Sequence, residues 1–269
     1  MSDISSSTAE SSLLLWTLAA IVGLLASQVC LGWLQRAQGA LRLRDNWRDL
    51  LVAAATLGTG IAATTVLLLS GEALSFPVGY HALAAPLLWL GAVAGCLPAV
   101  ALLAFRQRWW ALLLAGLMLA VVAGGSHVGW IVAAGFRPGV QWKEDLLSGA
   151  AVTLVVGFIC GLWTAFGGVG HEVERRPMWR LVAAVIFAFT LFAGQEVVIA
   201  AAGVLGQLGS VYLHQVPGSA LSLFCGVLVP VVLALMSVDL AMRQRRRRRG
   251  AGSTVPHRRR RRRHRYRSL

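Results

Sequence analysis

Residues 110–134 read WALLLAGLMLAVVAGGSHVGWIVAA and contain no Asp, Glu, Lys or Arg. Because an α-helix rises by about 1.5 Å per residue, this stretch is long enough to cross a hydrocarbon core of about 30 Å. Apolar stretches of similar length lie on both sides of it, so the candidate spans are 13–34, 49–70, 82–104, 110–134, 146–167, 179–203 and 219–242. The sequence therefore predicts an all-α fold, a polytopic membrane bundle of seven transmembrane helices.

The composition is that of a protein lying almost wholly in a membrane. Of its 269 residues, 57% are hydrophobic and 13% are charged, which excludes a disordered chain and argues against a soluble core. The polar start MSDISSSTAESS lacks the basic leader of a secretory signal. We expect a polar N-terminal segment (1–12), a membrane domain (13–242) and an arginine-rich tail (243–269).

The basic residues predict the orientation of the bundle. All but two of the 25 Lys and Arg residues fall in the loops after spans 1, 3 and 5 or in the tail, and the exceptions are Arg137 and Lys143. Loops rich in Lys and Arg stay on the cytoplasmic side. We therefore expect the N-terminus outside and the C-terminus in the cytoplasm.

The tail carries most of the net charge of +14, as RQRRRRR at 243–249 and RRRRRRHRYR at 258–267. Self-repulsion predicts that such a segment is disordered. Anionic lipid headgroups are the expected partner, since each arginine near a membrane surface contributes about 1 kcal/mol. Nucleic acid is a weaker prediction, because no aromatic-interleaved domain accompanies the arginines, and a protein partner is the remaining alternative.

Three spans each contain a polar cluster 17 or 18 residues after a tryptophan. The tryptophans Trp47, Trp109-Trp110 and Trp179 precede, in that order, Thr64-Thr65, Ser126-His127 and Gln195-Glu196. With the tryptophans at the cytoplasmic interface, every cluster lies about 26 Å away, near the outer face. Small residues surround the clusters, and small residues let helices approach closely. One hypothesis is that spans 2, 4 and 6 converge there on a shared site; the alternative is ordinary helix packing without a ligand.

Two of these residues are ionisable, and ionisable groups inside a membrane are functional candidates. The candidate ligand-binding residues are Thr64, Thr65, Ser126, His127, Gln195 and Glu196. The competing interpretation makes His127 a neutral imidazole bonded to a neighbouring helix, and the threonines partners of their own backbone. An isolated carboxylate in low dielectric is strongly disfavoured, so Glu196 must be protonated, paired or in contact with water. We expect His127 and Glu196 to share a proton or a hydrogen bond.

At these positions the chain resembles the MHYT domain, a seven-span sensor module of bacterial membranes. The second span and its loop read LGTGIAATTVLLLSGEALSFPVGYH, which keeps a Pro-Val-x-Tyr element at Pro77, Val78 and Tyr80. The fourth and sixth spans contribute AGGSHVGWIVAA and LFAGQEVVIAAAG. The resemblance covers roughly residues 13–240 and implies a multi-pass protein of the bacterial inner membrane.

The resemblance also implies a metal, because the family has been proposed to hold copper through three motif histidines. Only the second histidine is kept, as His127; Thr65 and Glu196 stand at the other two positions, and the preceding motif methionines are replaced. Copper favours imidazole and thioether ligands, so the cofactor stays unknown. Zinc at His127 and Glu196 and the absence of any metal are both open.

No motif of a conventional enzyme is present, and no catalytic output domain follows residue 242 in this sequence. We therefore expect a non-catalytic membrane sensor that passes its signal to a separate protein partner. Two alternatives stay open: a proton-coupled transporter that uses an intramembrane His–Glu pair, and a membrane scaffold.

Overall fold

The structure is a computed structural model that describes residues 2–38, 43–72, 74, 76–106, 108–166 and 177–253. Among these residues, seven helices are long and apolar enough to cross a membrane, as predicted. Their bounds are Ser12–Gln38, Trp47–Gly71, Ala84–Phe105, Trp109–Ala134, Glu144–Phe166, Met178–Ala202 and Gly218–Arg243. The predicted all-α bundle of seven spans is therefore confirmed.

Most spans coincide with a single helix. The first six are α1 (Ser2–Gln38), α2 (Leu43–Gly71), α3 (Ala84–Phe105), α4 (Trp109–Ala134), α5 (Glu144–Phe166) and α6 (Pro177–Ala202). The seventh begins as a short helix, α7 (Gly218–Leu223), widens into one π-helical turn at Phe224–Leu228, and continues as α8 (Val229–Ser253). A π turn holds an extra residue, so it changes which side chains face the bundle before and after it.

The second span lies at the centre of the bundle. In the most apolar 18-residue stretch of this span 78% is buried, whereas the corresponding value for the other spans does not exceed 50%. Helix α2 contacts α1, α3, α4, α6 and α7. The outer helices instead keep large apolar side chains exposed, such as Leu87, Phe189 and Leu235. Such a belt of exposed apolar residues suits a hydrocarbon environment.

Three loops meet at one end of the bundle, which we call the strand end. Four two-residue strands lie there: β1 (Gly79–Tyr80), β2 (Phe136–Arg137), β3 (Gly209–Ser210) and β4 (Val216–Pro217). Strand β4 pairs antiparallel with β1, and β3 pairs antiparallel with β2. The loop between α6 and α7 is therefore hydrogen-bonded to both other loops of this end.

Ser210 strengthens this connection between the loops. Its hydroxyl oxygen accepts a hydrogen bond from the Gly79 backbone N–H at 3.2 Å, and its hydroxyl lies 2.6 Å from the Ala134 carbonyl oxygen, to which it donates. One side chain thus joins the loop after α2, the end of α4 and the loop before α7. The predicted outer face of the protein corresponds to this strand end.

The opposite end, which carries the arginines, is held by aromatic and ionic contacts. Arg36 of α1 forms an ion pair with Asp49 of α2, with 3.0 Å between Nε and Oδ2. The guanidinium groups of Arg36 and Arg243 lie over the Trp33 ring at 5.1 and 5.7 Å from its centroid. Arg243 also pairs with Asp239 one turn earlier in α8. These contacts connect α1, α2 and α8 where the tail begins.

Helix α8 continues to Ser253, past the point where we predicted a disordered tail to begin at residue 243. Arginine is a good helix former, and extending a helix is far easier than nucleating one, so the span carries its helix into the first arginine run. The rest of the tail lies outside the described residues. The orientation of the termini across the membrane stays a prediction.

Candidate functional site

The three helices with polar clusters meet in the bundle, since α2 contacts both α4 and α6, and α4 contacts α6. Three glycines around the clusters face helices other than α2, α4 and α6. A Cβ at Gly58 would lie 2.5 Å from the Val93 Cα in α3, and one at Gly129 would lie 2.5 Å from Leu88 of the same helix. A Cβ at Gly194 would lie 2.5 Å from Leu154 in α5. These glycines therefore allow α3 and α5 to approach closely, and do not bring α2, α4 and α6 together.

Thr65 and His127 form the centre of the site, and both are fully buried. The Thr65 Oγ1 lies 2.8 Å from the Ile61 carbonyl oxygen and 2.8 Å from the His127 Nδ1. A carbonyl only accepts, so the single hydroxyl proton of Thr65 goes to Ile61. The bond to His127 must then be donated by its Nδ1–H.

This proton arrangement fixes the tautomer of the imidazole. With Nδ1 protonated, the neutral ring carries a lone pair on Nε2, and this atom is buried without a hydrogen-bond partner among the described residues. A second nitrogen oriented in this way is what a ligand-binding histidine needs. The structure contains part of each interpretation of His127: the ring is hydrogen-bonded to a neighbouring helix, and its Nε2 has no partner among the described residues.

The other predicted polar residues are buried as well. Thr64 is 1% exposed, Ser126 5% and Gln195 0%. The Thr64 and Ser126 hydroxyls and both atoms of the Gln195 amide have no hydrogen-bond partner among the described residues. Thr64 thus departs from the expectation that it bonds its own backbone, which Thr65 does. Buried polar atoms without partners are unfavourable and rare in folded proteins.

Glu196 is placed differently from its neighbours. Its side chain is half-buried, and one carboxylate oxygen, Oε1, is buried without a hydrogen-bond partner among the described residues. The carboxylate makes no hydrogen bond to His127, whose Nδ1 is used by Thr65 and whose Nε2 has no partner in the described chain. The expected His127–Glu196 bond is therefore not formed.

The spacing from the tryptophans predicts that all three clusters lie at one depth, but the packing offsets the α2 cluster from the α6 cluster. The Leu154 side chain lies near the Cβ positions of both Gly124 and Gly194, so the clusters of α4 and α6 are within about one turn of each other. On the other side of α6, a Cβ at Gly23 of α1 would lie 3.5 Å from both the Thr64 Oγ1 and Ala188 of α6. Thr64 is therefore level with Ala188. Ala188 precedes Gln195 by seven residues, or about 10 Å. Counting along one helix does not reveal such offsets between helices.

The residues present do not fit a copper site. Among the described residues, no three His, Cys, Asp or Glu side chains come together as a metal-binding group. His127 offers one imidazole nitrogen, and the buried groups predicted with it are hydroxyls and an amide. Copper prefers several imidazole or sulfur ligands, and zinc needs three or four nitrogen, sulfur or carboxylate ligands. The donor set suits hydrogen bonding better than metal coordination.

Two residues near the site were missed in the search for polar clusters. Tyr80 in β1 is fully buried, and its ring meets Trp130 of α4 edge-to-face at 5.3 Å between centroids. Burial raises the pKa of Tyr80, so its hydroxyl stays protonated. Trp130 follows His127 by about one turn. The second residue is Glu72, which lies just outside its span; the signal that could have found it is an acidic side chain directly after an apolar helix.

No protein-family model, curated protein or solved structure gives a significant match to this chain. The resemblance to the MHYT family therefore stays a prediction. The fold and its apolar surface define the class of protein without it: this is a multi-pass integral membrane protein with seven transmembrane helices.

Proposed function

We propose that the protein is a membrane sensor module that binds a small ligand at His127 and has no catalytic activity of its own. The observation that carries the proposal is the Thr65–His127 pair, in which Thr65 is bonded to Nδ1 of a fully buried imidazole whose Nε2 has no partner among the described residues. A bound molecule that donates a hydrogen bond to Nε2 would remove the penalty of burying that atom alone.

The ligand class follows from the buried polar groups of the three clusters that have no hydrogen-bond partner among the described residues. Nε2 accepts a hydrogen bond, whereas the Gln195 amide and the Ser126 hydroxyl can each donate and accept. In a low-dielectric bundle a neutral guest is favoured over an ion. We therefore propose a small neutral molecule with both a donor and an acceptor.

Binding there would act on the three helices that carry these groups. Because α2, α4 and α6 contact one another, a guest held by side chains from more than one of them shifts their equilibrium by its differential affinity. As part of the same proposal, the protein lies in a bacterial inner membrane with the strand end outside. Its arginine tail rests on anionic lipid, and the signal passes to a separate partner protein.

Proton-coupled transport is the second candidate, and Glu196 is the observation that favours it. Its side chain is half-buried inside a membrane span, and its buried Oε1 has no partner among the described residues. A carboxylate of this type carries protons in carriers. Proteoliposomes with an internal pH-sensitive dye distinguish the two functions. Flux in the wild type that disappears in Glu196→Gln supports transport, whereas a sensor gives no flux in either protein.

Native mass spectrometry of protein extracted together with its own membrane lipids tests the sensor site. We expect a non-lipid adduct of low mass on the wild type that is lost in His127→Ala, because the variant has no Nε2 acceptor. Glu144→Gln is the matched control, since Glu144 is an exposed carboxylate at the strand end. An adduct equally abundant on His127→Ala, or no adduct on the wild type, contradicts the proposed site. Metal analysis of the same samples distinguishes an organic guest from zinc or copper.

A further inference from the structure

A cavity lies at the strand end, and neither Thr65 nor His127 lines it. Its volume is about 330 Å³, and we call it the Glu72 cavity after its only described acidic lining residue. The polar groups on its wall are Ser70 and Glu72 at the end of α2 and Ser219 and Ser222 of α7. Ser219 is exposed, so the cavity opens to the surface of the bundle at the strand end.

The remaining wall of the Glu72 cavity is mostly apolar. It includes Leu15 of α1, Leu69 of α2, Phe76 of the following loop and Leu213 of the loop before α7. The volume falls in the range of about 300–1,000 Å³ that holds small organic ligands. A carboxylate at one place on an apolar wall is the pattern that recognises an amphiphilic molecule with a single charged group.

The electrostatics of the cavity favour a positive guest. None of its described lining residues is basic, and no described ion pair neutralises Glu72. Glu72 is half-buried, so its charge is partly desolvated, and this burial raises the pKa of its carboxyl group. An ammonium group beside Glu72 would offset that desolvation.

We propose that the Glu72 cavity is a binding site for a small monoamine, with the ammonium on Glu72 and an apolar body against Leu69, Phe76 and Leu213. Two of the three hydroxyls of Ser70, Ser219 and Ser222 accept the remaining two ammonium protons. This site goes beyond the proposed function, because its residues are separate from His127 and its partners.

The test uses phenethylammonium chloride as the probe, titrated into protein in dodecyl maltoside, which contains no ammonium group. We expect calorimetric binding with a Kd between roughly micromolar and millimolar, as its few non-hydrogen atoms allow. Glu72→Gln should weaken binding at least about tenfold, since it removes the counter-charge and keeps the shape of the side chain. Glu144→Gln, an exposed carboxylate of the same end, should leave the affinity unchanged.

A neutral ligand and a variant that fills the cavity complete the experiment. Phenethyl alcohol has the same body without the charge and should bind at least about tenfold more weakly than the amine. Ser222→Phe should abolish binding by filling the cavity, while its Tm stays near that of the wild type. Equal affinity of Glu72→Gln and wild type, equal affinity of alcohol and amine, or no binding of the amine to the wild type would each overturn the proposal.

Two further measurements identify the source of the ligand and test whether the cavity is independent of His127. If phosphatidylethanolamine in nanodiscs competes with phenethylammonium, the cavity takes its ammonium from lipid headgroups; if it does not, the ligand is a free amine. His127→Ala should bind phenethylammonium as the wild type does. A loss of binding in that variant would overturn the independence of the two sites.

Discussion

Replacing Gly58 by alanine should separate α2 from α3 and lower the Tm of the protein. A Cβ at this position would lie 2.5 Å from the Cα and 2.6 Å from the N of Val93, and 2.8 Å from the backbone C of Ala92. Backbone cannot rotate away as a side chain can, so the helices must move. Overpacking of this kind costs about 1–3 kcal/mol, more than alanine gains in helix propensity. Thermal melting followed by tryptophan fluorescence in one detergent measures the effect.

Gly91→Ala is the matched control for this prediction. Gly91 lies in α3 on its exposed side, and a Cβ there would meet nothing within 4 Å. We expect its Tm to equal or slightly exceed that of the wild type, because alanine favours helix and nothing obstructs it. Equal changes in Tm for the two variants would contradict the close approach of α2 and α3.

Thr65→Val should destabilise the protein by removing the acceptor for the His127 Nδ1–H. The valine keeps the branched shape but leaves a buried imidazole N–H without a partner, which costs about 1–3 kcal/mol. The tautomer would then no longer be fixed by Thr65, whose oxygen lies 2.8 Å from Nδ1 in the wild type. Nitrogen-15 NMR of labelled histidine should show His127 protonated at Nδ1 in the wild type and a mixture, or the other tautomer, in the variant.

The neighbouring residue provides the control for this variant. Thr64 undergoes the same chemical change in Thr64→Val, but its Oγ1 has no hydrogen-bond partner in the described chain. Removing an unpaired buried hydroxyl should leave Tm unchanged or raise it. Thr65→Ser should keep both the tautomer and most of the stability. If the two valine variants melt alike and leave the His127 signal unaltered, the assigned hydrogen bond is wrong.

The helices of this protein could be predicted from the sequence because a membrane leaves few alternatives. A backbone in hydrocarbon must satisfy its own hydrogen bonds, so an uncharged stretch such as 110–134 has to be a helix. The predicted ends fell within a few residues of the observed ones for all seven spans. What the periodicity did not reveal is the π turn at Phe224–Leu228, since a stretch as uniformly apolar as this one shows no face.

The candidate site was predictable only in part. The composition of the spans identified His127 and Thr65, and the structure joins them directly. The relation of Glu196 to His127 depends on the relative shift and rotation of α4 and α6, which residue counting along each helix cannot supply. Glu72 was missed because it becomes interesting only when the loop before α7 folds back over α2 and encloses it.

The hydrogen bonds of Ser210 have a mechanical consequence for any signal that crosses the bundle. With three loops fastened together at one end, a helix that tilts must pivot near that end. A tilt of about 5° over a helix of about 38 Å moves its free end by about 3 Å. The largest displacement then occurs at the cation–π contact of Arg243 with Trp33 and at the ion pair of Arg36 with Asp49. The hydrogen-bonded loops would thus act as a pivot, and the arginine-bearing end would move the most.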